Sequence, residues 1–227
     1  MTWLATSWPQ TVQLALIHLA LSLPAMILSV LIALPLGVLA NRRPRSGGAL
    51  LSIAGLLYAV PALPLLIIVP ALLGIPLRSP LTMVVVLTIY GVALLVRSVA
   101  DGFDAVDQIS REAAIAIGHS PRAVFWQIEL PLAVPVILSG VRVMVVSTVG
   151  LVTIGALVGI SSLGSLFTDG FQRGIAEEVI AGVVLTVIMA MLLDAVVVIA
   201  GRMLTPWSRA TRAQGVRQIA VPAEVRA

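Results

Sequence analysis

From Thr11 to Ala40 the chain passes thirty residues without a formal charge. A transmembrane helix needs about 20 consecutive, mostly apolar residues, so this run alone restricts the fold to one that crosses a membrane. Four more apolar runs follow it. The five expected spans are about Leu14–Leu39, Ala49–Leu73, Leu81–Ala100, Leu132–Ile160 and Glu178–Leu204. Charged residues make up only 11% of the sequence, against about 25% in a typical soluble domain. Such a chain could not cover its own surface with polar groups in water. The expectation is an all-α, polytopic membrane helix bundle of about five transmembrane helices.

Prolines punctuate these runs. Pro24 and Pro35 lie inside the first span, which a membrane helix tolerates because neighbouring groups re-satisfy the freed carbonyls. The centre of the second span reads Val60-Pro61-Ala62-Leu63-Pro64 and should kink or break at mid-membrane. Arginine placement orients the bundle. With the N-terminus outside, the inner side holds Arg42, Arg43, Arg45, Arg111, Arg122, Arg202, Arg209, Arg212, Arg217 and Arg226, and the outer loops hold only Arg78 and Arg173. The topology is therefore N-out and C-in. Residues 1–207 form one transmembrane domain, with a polar cytoplasmic loop at about 101–131. Residues 208–227 form a basic tail, expected to be disordered.

Several chemistries are excluded. All fourteen basic residues are arginine, so there is no lysine for a phosphate-binding Walker loop. Without cysteine there is no disulfide or thiolate site. His18 and His119 are the only histidines, too few for the usual multi-histidine metal sites. No catalytic or metal residues are expected. The basic pI of about 11.0 reads as arginines facing an anionic leaflet rather than as a nucleic-acid surface.

The polar segment Glu112–Pro131 reads EAAIAIGHSPRAVFWQIELP. Val106, Ile109, Ala113 and Ile117 recur at helical spacing as one apolar stripe. Gly118 suits a helix end. Ser120-Pro121 suits an N-cap followed by the first helical position, and Val124, Phe125 and Ile128 give the restarted helix an apolar face. The expectation is two short helices joined at a glycine under the membrane. Such an element either packs on its own spans or plugs into a groove of a partner. In the second case Ala113 and Ala114 allow close approach, Gly118 sets the angle, Phe125 or Trp126 fills a pocket, and Glu112 meets a basic residue.

The spacing of Glu112-Ala113-Ala114, Gly118, Ile128 and Leu130-Pro131 resembles the EAA-x3-G-x9-I-x-LP signature of the membrane subunits of ATP-binding-cassette importers. Val60-Pro61-Ala62-Leu63-Pro64-Leu65 with Val69-Pro70, and Leu130 to Ile137 with Gly140-Val141-Arg142, resemble the osmoprotectant branch of that family, whose cargoes are glycine betaine, carnitine, choline and proline. Gly159 to Gly164 departs from the Gly-Ala-Gly-Gly-Leu-Gly turn usual there. The resemblance implies a permease in the inner or plasma membrane of a bacterium, not itself an enzyme. It implies ATP-binding subunits that carry ATP and magnesium, a second permease chain (similar or identical), and a separate extracytoplasmic binding protein. Import of methionine or polyamines by the same machinery is the alternative cargo. An ion-coupled carrier or channel is the alternative of another class.

Within the spans, Tyr58 and Tyr90 are the only aromatics. With Pro61 and Pro64 they are the candidate pathway residues, although two tyrosines are a thin basis for a high-affinity cage for a quaternary ammonium. Asp194 lies about 12 Å and Arg142 about 16 Å from the inner ends of their spans, at about 1.5 Å per residue. Similar depths allow them to pair, and intramembrane charges need a partner or a wet cavity. Lining the pathway or touching a second subunit are the other readings.

Overall fold

The first apolar run folds as a single helix, α1 (Thr2–Arg42), with Pro9, Pro24 and Pro35 inside it. At about 1.5 Å per residue it spans about 60 Å, beyond the roughly 30 Å hydrocarbon core. The computed structural model describes residues 2–206, and side chains from residue 7 onward apart from 44 and 45. The expected tail, 208–227, lies outside the described residues. All regular structure among them is helical.

The second run becomes two helices, α2 (Pro44–Ala59) and α3 (Ala62–Leu73), set at 110° to one another. The break falls where the sequence placed it, but it is a sharp turn rather than a kink in one continuous span. Proline explains this. Pro61 and Pro64 have no N–H, so the carbonyls of Leu57 and Val60 lose their helical donors four residues on. Val60 N–H bonds to the Leu57 carbonyl at 3.3 Å, and the Tyr90 hydroxyl donates to the Val60 carbonyl.

Ser79 caps α4 (Pro80–Asp104), accepting from Leu81 N–H at 3.2 Å, with Pro80 in the first turn. Beyond the polar segment come α7 (Leu130–Val152), α8 (Gly164–Arg173) and α9 (Ala176–Leu204). The fourth span runs close to its expected end, to Val158. Its α-helix stops at Val152 and tightens into a 3-10 turn, Thr153–Val158. Between the fourth and fifth spans the chain forms the further short helix α8. Among the described residues, four helices are long and apolar enough to cross a membrane, or five crossings if the α2–α3 pair counts as one.

Helix directions follow from the contacts. The Ser29 hydroxyl reaches the Thr88 carbonyl and Asn41 donates to Asp104, so α1 and α4 run parallel. His18 Nε2 lies 3.1 Å from the Val149 carbonyl and Arg42 pairs with Glu129, so α7 runs the other way. A Cβ on Gly140 would sit 2.4 Å from the Cβ of Ser98. Only glycine there allows α7 to approach α4 this closely, the usual role of small residues at membrane helix contacts. The buried side chains form one cluster around Leu95, Val99, Phe103, Ile137 and Met144. A second surrounds Leu66, Met83, Leu87, Tyr90 and Val152. Many leucines, isoleucines and valines of α1 and α9 face outward, as spans in contact with lipid or other spans must.

Candidate functional site

The polar segment opens with α5 (Gln108–Ala116), where Asp107 caps the helix by accepting from Ile109 N–H at 3.2 Å. Gly118 ends it with φ +91°. His119 N–H reaches back to the Ala114 carbonyl at 3.0 Å and Gly118 N–H to that of Ile115 at 2.9 Å. This is the left-handed glycine turn that closes many helices. Ser120 then accepts from Ala123 N–H at 3.3 Å and starts α6 (Pro121–Val124).

The second expected short helix is not separate. α6 continues through a π turn, Phe125–Glu129, directly into α7. Leu130 N–H bonds to the Phe125 carbonyl, five residues back. Pro131 supplies a reason: it has no N–H, and its ring would crowd the carbonyl four residues before it. Widening the preceding turn relieves that conflict. The element is therefore a short helix joined through Gly118 to the extended inner end of a span.

The expected apolar stripe also divides. Val106 precedes α5 and is buried, whereas Ile109 and Ile117 are 73% and 76% exposed. Glu112 and Ala113 face solvent and Ala114 is buried. Glu112 accepts from Gln108 on its own helix at 2.8 Å. A groove of about 660 Å³ runs between α5 and the start of α7, lined by Ala113, Ala114, Ile117, Gln127 and Ile128 among others. Trp126 is exposed. Phe125 instead turns inward, stacked on Phe103 at 5.6 Å, with the Arg42 guanidinium 4.9 Å above its ring.

Glu129 fastens this element to the bundle. Its Oε2 lies 3.3 Å from Arg42 at the end of α1, and its Oε1 lies 3.1 Å from Arg111 of α5. Arg111 also donates to the Phe103 carbonyl at 2.6 Å. A cation on the last carbonyls of α4 is favoured by the helix dipole. The inner ends of α1 and α7 thus meet α5 through one carboxylate, and Arg111 ties α5 to the end of α4. The sequence did not single out Glu129, Arg42 or Arg111 as a cluster. Opposite charges near span ends were the only signal, and spacing along the chain does not reveal a partner 87 residues away.

Of the candidate pathway residues, Tyr58, Pro61 and Tyr90 converge on a second cavity of about 660 Å³ at the α2–α3 break, with Ser147, Gly150 and Thr153 on its far wall. Pro64 is exposed and does not line it. Arg142 and Asp194 stand elsewhere, joined by two parallel bonds of 2.7 Å between α7 and α9.

The described residues thus form a helical bundle with spans long and apolar enough to cross a membrane, and an exposed helix and groove at one end. The chain belongs to the family of binding-protein-dependent transport system inner membrane components, whose model matches residues 25–210. It is 33% identical over 189 residues to the choline transport system permease protein OpuBB of Bacillus subtilis (strain 168), covering 83% of this chain and 86% of that one. It is 29% identical to the glycine betaine/carnitine/choline transport system permease protein OpuCB of the same organism, covering 91% and 94%. Among solved structures it resembles the inward-facing MetNI methionine ABC transporter, with TM-score 0.75 and 23% identity over 90% of this chain and 98% of that one. The chain is thus an inner-membrane permease that works with ATPase and binding-protein partners. It is not itself an enzyme, and the ion-coupled carrier reading is set aside.

Proposed function

We propose that this permease imports quaternary-ammonium osmoprotectants of the choline, glycine betaine and carnitine type. Two ATP-binding subunits, holding ATP and magnesium, dock from the cytoplasm against the exposed face of α5 and its groove. A second permease chain, similar or identical, completes the pathway. An extracytoplasmic binding protein delivers the cargo.

The observation that carries this reading is the α5–Gly118–α6 element, exposed at the end of the bundle that arginine placement puts in the cytoplasm yet bound by Glu129 to Arg42 and Arg111. Closure of the partner ATPases moves α5. Its ion pairs pass the motion to the inner ends of the spans, and the pathway switches from inward- to outward-facing. In this reading Glu112, Ala113, Ala114 and Trp126 contact the ATPase, Gly118 sets the hinge, and Phe125 anchors the element internally. The cargo class is supported by the relatives, named for choline, glycine betaine and carnitine. The methionine transporter shares the fold at 23% identity, which carries no cargo assignment.

The test is uptake of labelled glycine betaine at high osmolarity in cells lacking other betaine carriers, with and without this chain and its partner subunits. Uptake is expected only with them, and excess carnitine and choline should compete while a polyamine should not. Equal uptake with and without the chain would overturn the cargo assignment.

A further inference from the structure

The cavity at the α2–α3 break has a chemistry of its own. Among the described residues lining it, none carries a formal charge. Its volume of about 660 Å³ lies within the roughly 300–1,000 Å³ of small-molecule sites. The rings of Tyr58 and Tyr90 stand at 75° with centroids 6.3 Å apart, giving two walls of a corner. The Tyr90 ring is buried and its hydroxyl is tied to the Val60 carbonyl, so that wall is fixed. Tyr58 is half exposed and presents its ring from the end of α2. The last carbonyls of α2 and the first N–H groups of α3, which has no side-chain cap, meet at this cavity. Helix ends of opposite sign therefore lie side by side.

A tightly hydrated ion finds no carboxylate here to replace its hydration shell, and the N–H groups that open α3 offset the carbonyls that close α2. A trimethylammonium group is different. Its charge is spread beneath apolar methyls, and aromatic faces attract it without a formal counter-charge. Two rings and no acid make a weak site, which suits passage rather than capture. We infer that the corner formed by Tyr58 and Tyr90 at the α2–α3 break is a transit site for the trimethylammonium head of the cargo. This inference rests on the cargo reading above.

The full complex is reconstituted in proteoliposomes with its binding protein at saturation, and the maximal rate of ATP-driven uptake is read for glycine betaine and choline. Tyr58→Phe and Tyr58→Trp keep an aromatic face and should stay within about twofold of wild type. Tyr58→Leu removes it and should lower the rate about tenfold for both cargoes, a loss within the range of a desolvated cation–π contact. Recovery of each variant with its ATP-binding subunits checks assembly. Should Tyr58→Leu fail that check, phenylalanines bearing one, two and three fluorines at position 58 keep the shape while draining the ring face. Uptake should then fall stepwise. A leucine variant at the wild-type rate, a Phe variant as slow as Leu, or a flat fluorine series would overturn the transit site while leaving the permease reading intact. A wild-type complex that imports neither compound would overturn the transit site and the cargo reading together.

Discussion

Replacing Gly118 by valine is expected to cut ATP-driven uptake at least tenfold while leaving the chain inserted in the membrane. The residue sits at φ +91°, where a side chain costs about 1–2 kcal/mol and a β-branched one is more strongly disfavoured. A Cβ added there meets nothing within 4 Å, so the penalty is conformational and not a clash. It falls on the turn joining α5 to α6, whose residues 117–120 belong to none of the buried clusters of the spans. Valine should therefore re-aim α5 without unfolding the bundle. Partner ATPases would still hydrolyse ATP but move little cargo. Asparagine tolerates positive φ better and should retain more transport. The ratio of cargo moved to ATP hydrolysed in proteoliposomes reads this directly, and a wild-type ratio for Gly118→Val would contradict the hinge.

The second large effect concerns the Arg142–Asp194 pair. Each charge lies within a helix that crosses the membrane, and the two meet through parallel bonds of 2.7 Å. Fork-to-carboxylate pairing is the strongest form of such a contact. Removing one partner strands the other charge in the membrane, where lone charges are disfavoured. Arg142→Ala and Asp194→Ala should each lower the amount of chain recovered from membranes several-fold. The double alanine variant should recover most of that loss, as should the exchange Arg142→Asp with Asp194→Arg. That pattern is a coupling energy between the sites. If the pair instead lines the pathway, the single variants would insert normally and only transport would fall. Membrane quantities separate the two.

Much of this molecule was legible before its shape. The uncharged runs gave the spans because nothing else explains thirty residues without a charge. Pro61 and Pro64 gave the break because proline lacks an N–H. Gly118 gave the hinge because few other residues end a helix so readily. What escaped were effects that depend on three dimensions. The 110° turn at the break is completed by Tyr90, thirty residues away in sequence. The π turn that fuses α6 to α7 appears only when the ring of Pro131 is placed against the preceding turn. The apolar face of Val124, Phe125 and Ile128 set Phe125 apart from Trp126, but not its partner: Phe125 stacks on Phe103 while Trp126 faces out. Glu129 carries no pattern along the chain, because its partners Arg42 and Arg111 meet it only in the packed bundle.

In the proposed mechanism α5 is the surface that an ATP-binding subunit grips. The native chain has no cysteine, so a single introduced thiol reports from one place. Ala113→Cys, on the exposed face of α5 beside the groove, should cross-link through a short bifunctional reagent to the ATP-binding subunit of the assembled complex. Val143→Cys, outward-facing on α7, should not. The yield at Ala113 should also change when the complex is trapped with ATP and without it. Absence of any cross-link from Ala113→Cys in a complex that transports, with an equal result at Val143→Cys, would contradict the claim that α5 carries the drive.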